Sequence, residues 1–400
     1  MFTGYQHKKR VHERYKIIGF ISSGTYGRVY KAEGKNGRVG EFAIKKFKPD
    51  KEGEVQYTGI SQSGIREMAL CTELSHPHVV HTVEIILEDK SIFIVFEYAE
   101  HDLLQIIHHH NSNQRGAIPA RTVKSIMHQL LQGLVYLHKS WVLHRDLKPA
   151  NIMVTSAGKV KIGDLGLARL FYKPLHSLFT GDKVVVTIWY RAPELLLGSR
   201  HYTPAIDLWS VGCIFAELLQ LRPIFKGEEL KADPKSKAVP FQRNQMQKIV
   251  EIMGMPIKDR WPLLTSMPEY GHLSSLAAGN PRMRAPQSLE HWYETCLRNN
   301  HWPKASSPDS PGPEGLSLLQ QLLEYDPQKR ITAEKALLHP YFSIHGKPLE
   351  SCFEESKIKY PVRTVSQDNE IRSSSLPGTK RSGIDDHSMG RPVKRLKQDG

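Results

Sequence analysis

The sequence predicts an α+β chain built of two lobes, a small antiparallel-sheet lobe with one main helix and a larger helical lobe. Short β-type runs such as IFIVFEY dominate from Tyr15 to Tyr98, and one helix-like segment near Ile65 to Leu74 interrupts them. From Thr122 onwards, apolar residues recur every three or four positions, and mostly helical patterns continue to about Phe342. Two unlike lobes in succession predict a cleft between them.

Composition divides the 400 residues further. The predicted parts are a basic N-terminal extension over 1–14, a folded region over 15–342 with lobes at about 15–98 and 99–342, and a C-terminal extension over 343–400. Residues 303–315 are rich in Pro, Ser and Gly and predict a surface loop. From about residue 361 the extension has few large apolar side chains, which predicts a disordered tail.

The net charge of +14 is unevenly placed. Residues 1–50 carry +8 and residues 351–400 carry +3, which leaves the middle of the chain almost neutral. This distribution argues against a histone-like protein that coats DNA. The four cysteines form no CxxC pair, which argues against a zinc module or a disulfide scaffold and favours a reducing compartment.

The sequence does not suggest a secreted or membrane-spanning protein. The first ten residues place no apolar stretch after their charges, so they do not resemble a secretory signal. The most apolar stretch, Leu208–Leu221, contains a glutamate and is too short to span a bilayer, so it predicts a buried helix.

A glycine-containing turn lies between the first two strand-like runs. Gly24 and Gly27 would let a hairpin close over phosphates with its backbone N–H groups, although Ser22 stands where a further glycine would complete the motif. An ordinary hairpin turn remains an alternative. Lys45 ends the strand-like run that follows, and Glu67 in the helix-like segment could hold that lysine in place.

The strongest chemical signal runs from His144 to Gly166. Asp146, Lys148 and Asn151 lie within one short segment, and two short strand-like runs after it predict a hairpin that brings Asp164 back beside Asn151. A carboxylate and an amide oxygen suit Mg²⁺ that already carries phosphate oxygens. Asp146 would then accept a hydroxyl proton, and Lys148 would face the transferred phosphate.

In this order the motifs resemble those of eukaryotic protein kinases over about residues 15–342. The matching motifs are the glycine loop, Ala43-Ile44-Lys45, Glu67, HRDLKPAN from His144, Asp164-Leu165-Gly166 and Ala192-Pro193-Glu194. Asp207 and Arg330 also match, as a structural acid and as the arginine that pairs with Glu194. Leu165 departs from the family's usual phenylalanine.

The resemblance implies the bilobal kinase fold with ATP and Mg²⁺ as cofactors. Lys45, Glu67, Asp146 and Lys148 would be catalytic, and Asn151 and Asp164 would bind the metal. The residues implied in ATP binding are Ile21, Ser22, Gly24, Gly27, Val29, Ala43, Lys45, Phe96, Glu97, Ala99, Asp102 and Met153. Within this set Phe96 would close the back of the pocket, and Asp102 would approach the ribose.

The subfamily resemblance is narrower. Trp189 to Glu194 resembles the group of cyclin-dependent and MAP kinases, in which the counterpart of Arg191 favours proline after the target Ser/Thr. The segment before it lacks the Thr-x-Tyr of MAP kinases, and Ser61–Glu67 resembles a cyclin-contacting helix. Further segments, among them Tyr98–Leu103 and Arg200–Thr203, resemble the Mediator-associated, cyclin-C-dependent kinases, most closely in their fungal form.

Asp182 stands where most cyclin-dependent kinases carry a phosphorylated threonine, five residues before Thr187. The arginines that would meet that phosphate are Arg66, Arg145 and Arg169. One aspartate brings less charge and a shorter reach than phosphothreonine, so it would substitute only in part. We therefore expect activation without loop phosphorylation, with partners supplying the remaining order. A solvated loop acid is the alternative.

The resemblance implies substrates and partners as well. The expected substrates are Ser/Thr-Pro sites on the C-terminal repeats of RNA polymerase II and on transcription factors, and the expected partners are a cyclin-C-like subunit and the Mediator kinase module. Basic clusters at Lys380 and Lys394 favour nuclear import, and no direct nucleic-acid or membrane contact is expected. A pseudokinase scaffold and a cytoplasmic proline-directed kinase are the alternatives. The run His108–His110 predicts a solvated patch.

Overall fold

The computed structural model divides the chain into two units, residues 1–369 and 370–400. The structure describes residues 10–23, 27–47, 62–88, 91–112, 116–171, 187–199, 203–230, 240–277, 288–354 and 358–367, all within the first unit. In these ranges no helix is long and apolar enough to cross a membrane.

A five-stranded antiparallel sheet forms the first lobe, with strand order β1-β2-β3-β5-β4. Its strands are β1 (Tyr15–Ser23), β2 (Gly27–Gly34), β3 (Glu41–Phe47), β4 (Thr82–Glu88) and β5 (Ser91–Glu97). Two helices accompany it, α1 (Val11–Arg14) before β1 and α2 (Gln62–Glu73) between β3 and β4. The predicted sheet with one main helix is confirmed.

The short helix α1 lies at the end of the predicted N-terminal extension and is attached to the first lobe. Val11 is buried, and its backbone N–H donates to the Glu88 carboxylate at 2.8 Å. Arg14 pairs with Glu84, which also accepts a hydrogen bond from the Tyr15 hydroxyl. The apolar Val11 and these paired charges fix residues 11–14 against the edge strand β4.

The second lobe is mainly helical, as predicted. Its helices are α3 (Leu103–Ser112), α4 (Ala120–Lys139), α5 (Pro193–Leu196), α6 (Ala205–Gln220), α7 (Arg243–Met253), α8 (Gly271–Ala277), α9 (Leu289–Asn299), α10 (Gly312–Leu322) and α11 (Ala333–Leu337). The predicted buried helix is α6, whose residues from Ile206 to Leu219 are all buried. The predicted loop over 303–315 ends earlier, because α10 already begins at Gly312.

Two small sheets place the chemistry-bearing segments at the top of this lobe. They are formed by β6 (His101–Asp102), β7 (Val142–Leu143), β8 (Ile152–Val154), β9 (Val160–Ile162) and β10 (Arg169–Leu170), in the orders β6-β8-β9 and β10-β7. Ile152 faces Ile162 across the β8-β9 hairpin. The chain before β8 and the chain after β9 therefore emerge side by side, as the sequence predicted.

A buried ion pair ties α5 to the end of the second lobe. The Arg330 guanidinium donates from Nη1 to Glu194 Oε1 at 2.8 Å and from Nη2 to Oε2 at 3.0 Å. The exposed fractions of the two side chains are only 0% and 3%. Because α5 begins at Pro193, within the Trp189–Glu194 segment, this pair fixes the end of that segment.

Replacing Glu194 by glutamine should destabilise the fold strongly. The substitution leaves the Arg330 charge buried without its counter-ion, which typically costs about 3–5 kcal/mol. Thermal unfolding of the purified chain measures this loss. The control is Glu334→Gln, which removes an exposed carboxylate from a pair with Lys139 at 3.5 Å and should change stability by less than about 1 kcal/mol. Equal melting temperatures for the two variants would contradict the prediction.

The described part of the C-terminal extension packs along the folded region. The Cys352 backbone N–H donates to the Gly158 carbonyl at 3.0 Å, and Lys124 donates to the carbonyls of Ile344 and Gly346. Farther along, Ser366 forms an antiparallel bridge with Phe20 on β1. The predicted disorder from about residue 361 is therefore wrong for residues 361–367.

Candidate active site

Lys45 is the centre of a buried charge cluster in the cleft. It lies on β3 opposite Val29 of β2. Its Nζ lies 2.7 Å from each carboxylate oxygen of Glu67 on α2 and 3.1 Å from Oδ1 of Asp164, which follows β9. Three elements far apart in sequence thus converge on one ammonium group.

The charges in this cluster support one another. Burial alone would lower the pKa of Lys45, but the carboxylates of Glu67 and Asp164 outweigh it and raise the pKa, so the lysine stays protonated. For Asp164 burial acts in the opposite direction and would raise the pKa. The positive charge of Lys45 nevertheless holds the pKa of this carboxyl below its usual value. A positive charge and a carboxylate therefore stand together where phosphates and a cation would be bound.

The loop that contains Asp146 is held from below by Asp207 on α6. The two Asp207 carboxylate oxygens accept the backbone N–H groups of His144 at 3.0 Å and Arg145 at 2.9 Å. Arg145 has a φ of 71°, a left-handed conformation that costs a non-glycine residue of order 1 kcal/mol or more. The hydrogen bonds from Asp207 stabilise that conformation and so fix the position of Asp146.

The two carboxylate oxygens of Asp146 differ in their hydrogen bonding. Its Oδ2 accepts from Lys148 Nζ at 2.8 Å and from Asn151 Nδ2 at 3.0 Å. Its Oδ1 is buried and accepts no hydrogen bond within the described part of the chain. Burial raises the pKa of this carboxyl, an effect that Lys148 opposes. An open, slightly basic oxygen of this kind can accept a proton from a hydroxyl group.

His144 connects this loop to Asp164. Its Nδ1 accepts from the Asp146 backbone N–H at 3.2 Å, so its Nε2 carries the proton and donates to the Gly163 carbonyl at 2.9 Å. The Gly163 N–H in turn donates to the Asn151 carbonyl at 2.9 Å. Asp164 itself is left-handed, with a φ of 56°. The predicted juxtaposition of Asp164 and the Asn151 segment is present.

A divalent cation fits the donor set here. The Asn151 Nδ2 group donates to the Asp146 carbonyl at 2.8 Å as well as to its carboxylate, so the Asn151 amide oxygen points away from Asp146. That oxygen and the ionised Asp164 are hard ligands of the type that Mg²⁺ accepts alongside phosphate oxygens and water.

The remaining residues predicted for ATP line two sides of the cleft. Ile21 and Ser22 lie on β1 and Gly27 begins β2, while Gly24 lies outside the described residues. Ala43 faces Phe96 across β3 and β5, Glu97 ends β5, and Ala99 follows on the connection between the lobes. On the opposite side Met153 faces Asp102 across β6 and β8.

Arg191 lies within electrostatic range of Asp146. Its guanidinium is close enough to Glu229 and Asp146 for their negative charges to raise its pKa, although burial, the larger effect, lowers it. The preceding Tyr190 is fixed by α6, because its hydroxyl donates to Glu217 at 2.7 Å and its carbonyl accepts from Ser210 at 2.8 Å. Arg191 thus lies on a rigid segment beside the site.

The buried carboxyl of Glu217 should make the free energy of unfolding depend on pH. Burial raises its pKa from 4.5 to about 7, although the Tyr190 hydrogen bond opposes this rise. The folded state thus binds the proton more tightly than the unfolded chain, and stability falls as pH rises from about 4.5 through 7, by roughly 2–3 kcal/mol.

Glu217→Gln keeps an acceptor for Tyr190 but does not titrate. We expect its melting temperature to exceed that of the natural chain at pH 8 by several degrees more than at pH 5. The comparison with Glu334→Gln controls for loss of a carboxylate. A difference that does not grow with pH would contradict the role of Glu217.

Four of the residues predicted to act with the activation loop are described, and they lie on different segments. Thr187 precedes a short 3₁₀ turn over Ile188–Tyr190, and Asp182 lies outside the described residues. Arg66 is on α2, Arg145 is beside Asp146, and Arg169 is on β10, which pairs with β7. The interaction of Asp182 with these arginines stays a prediction.

The sequence did not predict Arg363, which comes from the C-terminal extension and lies at the mouth of the cleft. Its Nε lies 3.3 Å from Asp102 Oδ2, and its Nη2 contacts the Met153 sulfur. No motif marks this arginine, because it stands in a polar segment with the composition of a disordered tail.

A sequence profile described as "Protein kinase domain" matches residues 15–342. The chain is 80% identical over 396 residues to "Serine/threonine-protein kinase SSN3" of Phaeosphaeria nodorum, and the match covers 98% of this chain and 89% of that protein. It is 69% identical to "Serine/threonine-protein kinase SSN3" of Aspergillus oryzae, over 99% of this chain and 97% of that one.

Solved structures include a similar chain. It comes from the "Crystal Structure of the yeast RNA Pol II CTD kinase CTDK-1 complex", with a TM-score of 0.67 and 30% sequence identity. The match covers 87% of this chain and 98% of that chain. The likeness therefore includes both lobes and the cleft described above.

Proposed function

The chain belongs to the protein kinase family as a serine/threonine-protein kinase similar to the fungal SSN3 proteins, and from that premise we propose that it is the cyclin-dependent kinase of the Mediator kinase module. The observation that carries the catalytic part is the contact of Lys45 with both Glu67 and Asp164. In protein kinases this arrangement holds nucleotide phosphates for transfer.

Phosphotransfer would use Lys45, Glu67, Asp146 and Lys148 in the positions described above. Lys45 neutralises phosphate charge, and Glu67 keeps its ammonium in place at 2.7 Å. The open Oδ1 of Asp146 orients the substrate hydroxyl and accepts its proton. Lys148, 2.8 Å from Asp146, stabilises the charge of the transferred phosphoryl group. Most of the rate acceleration then comes from positioning and charge neutralisation.

Asp164 and Asn151 would hold Mg²⁺. When bound, the ion neutralises phosphate oxygens of ATP and aligns the terminal phosphate for in-line attack. The lowered pKa of Asp164 keeps this ligand ionised at neutral pH.

Substrate choice would depend on Arg191. A half-buried guanidinium on a segment fixed by Tyr190 and Glu217 is suited to shape the pocket for the residue that follows the target Ser/Thr. We propose proline there, in the C-terminal repeats of RNA polymerase II and in transcription factors. The similar yeast structure is titled a kinase of the RNA polymerase II CTD, which supports the polymerase as a substrate.

A cyclin-C-like subunit is the proposed activating partner. Ile65 on α2 and Leu87 on β4 are exposed apolar side chains, with exposed fractions of 48% and 60%. A partner that covers them would press on the helix that carries Glu67. We propose that this contact, with Asp182 in place of a phosphothreonine, makes loop phosphorylation unnecessary.

The basic tail would direct the kinase to the nucleus. Lys380-Arg381 and Lys394-Arg395-Leu396-Lys397 form two clusters of a bipartite import signal. A fluorescent fusion that lacks residues 379–400 should lose nuclear accumulation, and unchanged accumulation would exclude this role for the tail.

Mass spectrometry of the native complex tests the proposed function. We expect a cyclin-C-like protein and Mediator subunits to co-purify with the kinase, and we expect the loop around Asp182 to be unphosphorylated in an active preparation. Co-purification of cytoplasmic partners alone would contradict the Mediator role. A complex that has these partners but transfers no phosphate from Mg-ATP would identify a scaffold instead.

A further inference from the structure

Residues 358–367, which we name the strap, run from the second lobe across the mouth of the cleft to the first lobe. At the second lobe, the Tyr360 hydroxyl lies 3.1 Å from His110 Nε2, and the Pro361 carbonyl lies 2.8 Å from His101 Nδ1. His110 and Tyr360 are both buried. Tyr360 also packs against Phe353 in a tilted arrangement, with ring centroids 5.0 Å apart, and this contact adds to the anchor.

The other end of the strap is attached to β1. Ser366 and Phe20 exchange two backbone hydrogen bonds, of 2.9 and 3.0 Å. Gly19 permits this approach, because a Cβ there would lie 2.1 Å from the Ser366 carbonyl oxygen and 2.6 Å from the Val365 side chain. Between the two ends, the Arg363 backbone N–H donates to the Glu100 carbonyl at 2.9 Å.

These anchors place the Arg363 side chain inside the cleft. Its guanidinium forms an ion pair with Asp102 and contacts Met153, and the exposed fractions of the Arg363 and Asp102 side chains are 11% and 12%. Asp102 is the residue expected to approach the ribose, and Met153 belongs to the set of residues implied in ATP binding. The guanidinium therefore occupies space that the nucleoside would need, and it pairs with the Asp102 carboxylate that the ribose would approach.

We propose that the strap is an autoinhibitory element that competes with ATP through Arg363. This inference rests on the proposed nucleotide site. Nucleotide can reach Asp102 only after Arg363 withdraws, so the observed affinity is reduced by the fraction of molecules with the strap in place. Because the strap also joins β1 to the second lobe, its release would free β1 to move over the phosphates. A partner that binds the released strap in preference to the attached one would activate the enzyme.

Calorimetric titration of the full chain with Mg-ADP tests the strap. Arg363→Gln removes the charge that pairs with Asp102. This variant should bind ADP about fivefold more tightly, because losing one partly exposed ion pair shifts the equilibrium of the strap by about that factor. Gly19→Ala displaces the strap from its far end without touching Asp102 or Met153, and it should also tighten binding. Arg363→Lys should resemble the natural chain. Lys359→Gln, which removes a charge from an exposed residue of the same segment, should change nothing.

Weaker ADP binding by Arg363→Gln would overturn the proposal and make Arg363 part of the nucleotide-binding surface. Unchanged binding in both Arg363→Gln and Gly19→Ala would overturn it as well. Failure of the proposed function would give a different result. If the natural chain and the variants bind ADP with the expected ranking but none transfers phosphate, the autoinhibitory role of the strap is supported and the kinase activity is contradicted. Melting temperatures identify a variant that does not fold, and the other variant then decides.

Discussion

Replacing Asp164 by alanine should abolish phosphotransfer while the fold is retained. Its carboxylate is a proposed ligand of the metal that aligns ATP, and its ionisation depends on Lys45, 3.1 Å away. Loss of one group that stabilises transferring charge typically costs about 10³-fold or more in rate. Lys45 keeps Glu67 as a partner, so the buried lysine stays compensated in the variant.

Steady-state phosphotransfer with purified chains measures this effect, and thermal unfolding confirms that the variant is folded. Asp164→Asn keeps the size of the side chain and removes the charge, so it should be almost as inactive. Glu334→Gln, an exposed carboxylate on α11, should transfer phosphate like the natural chain. Appreciable turnover by Asp164→Ala would refute its assignment as a metal ligand.

Replacing Asp146 by asparagine should lower kcat by about 10²- to 10⁴-fold and leave nucleotide affinity almost unchanged. The asparagine can still accept from Lys148 and Asn151 through one oxygen, as Asp146 Oδ2 does. It cannot offer a basic oxygen at the position of Oδ1. Among the described residues, the hydrogen bonds of the Asp146 side chain go to Lys148 and Asn151 and not to Asp102, which separates this variant from changes at Asp102.

Steady-state kinetics at several ATP concentrations separate the effect on kcat from the effect on KM for ATP. We expect KM for ATP to stay within about threefold of that of the natural chain, since only a group acting at the transition state is lost. A variant with a near-normal kcat, or one whose loss lies wholly in KM, would show that Asp146 is not the proton acceptor.

Much of this site could be predicted because its residues lie close together in sequence. Asp146, Lys148 and Asn151 share one loop, and the β8-β9 hairpin requires only local pairing to return Asp164 to that loop. The Lys45–Glu67 contact joins separate elements, so the residues alone indicated it only as a possible pairing, which the family resemblance then supported. The catalytic roles of these residues remain predictions that the substitutions above test.

Other features could not be predicted because they depend on long-range packing of a polar segment. Arg363 meets Met153 across 210 residues of chain, and nothing in its neighbourhood repeats with a helical or strand period. The run His108–His110 reads as a solvated surface, yet His110 is buried because Tyr360 covers it. Contacts between a short tail and a preformed surface leave no periodic pattern that sequence reasoning can detect.

One measurement tests most directly whether this chain is a proline-directed kinase. The purified kinase, together with a cyclin-C-like subunit and Mg-ATP, is offered two peptides that differ only in having proline or alanine after the target serine. We expect phosphate transfer with kcat/KM at least about tenfold higher for the proline peptide, since Arg191 would shape that pocket. No transfer to either peptide, or equal transfer to both, would contradict the proposed activity.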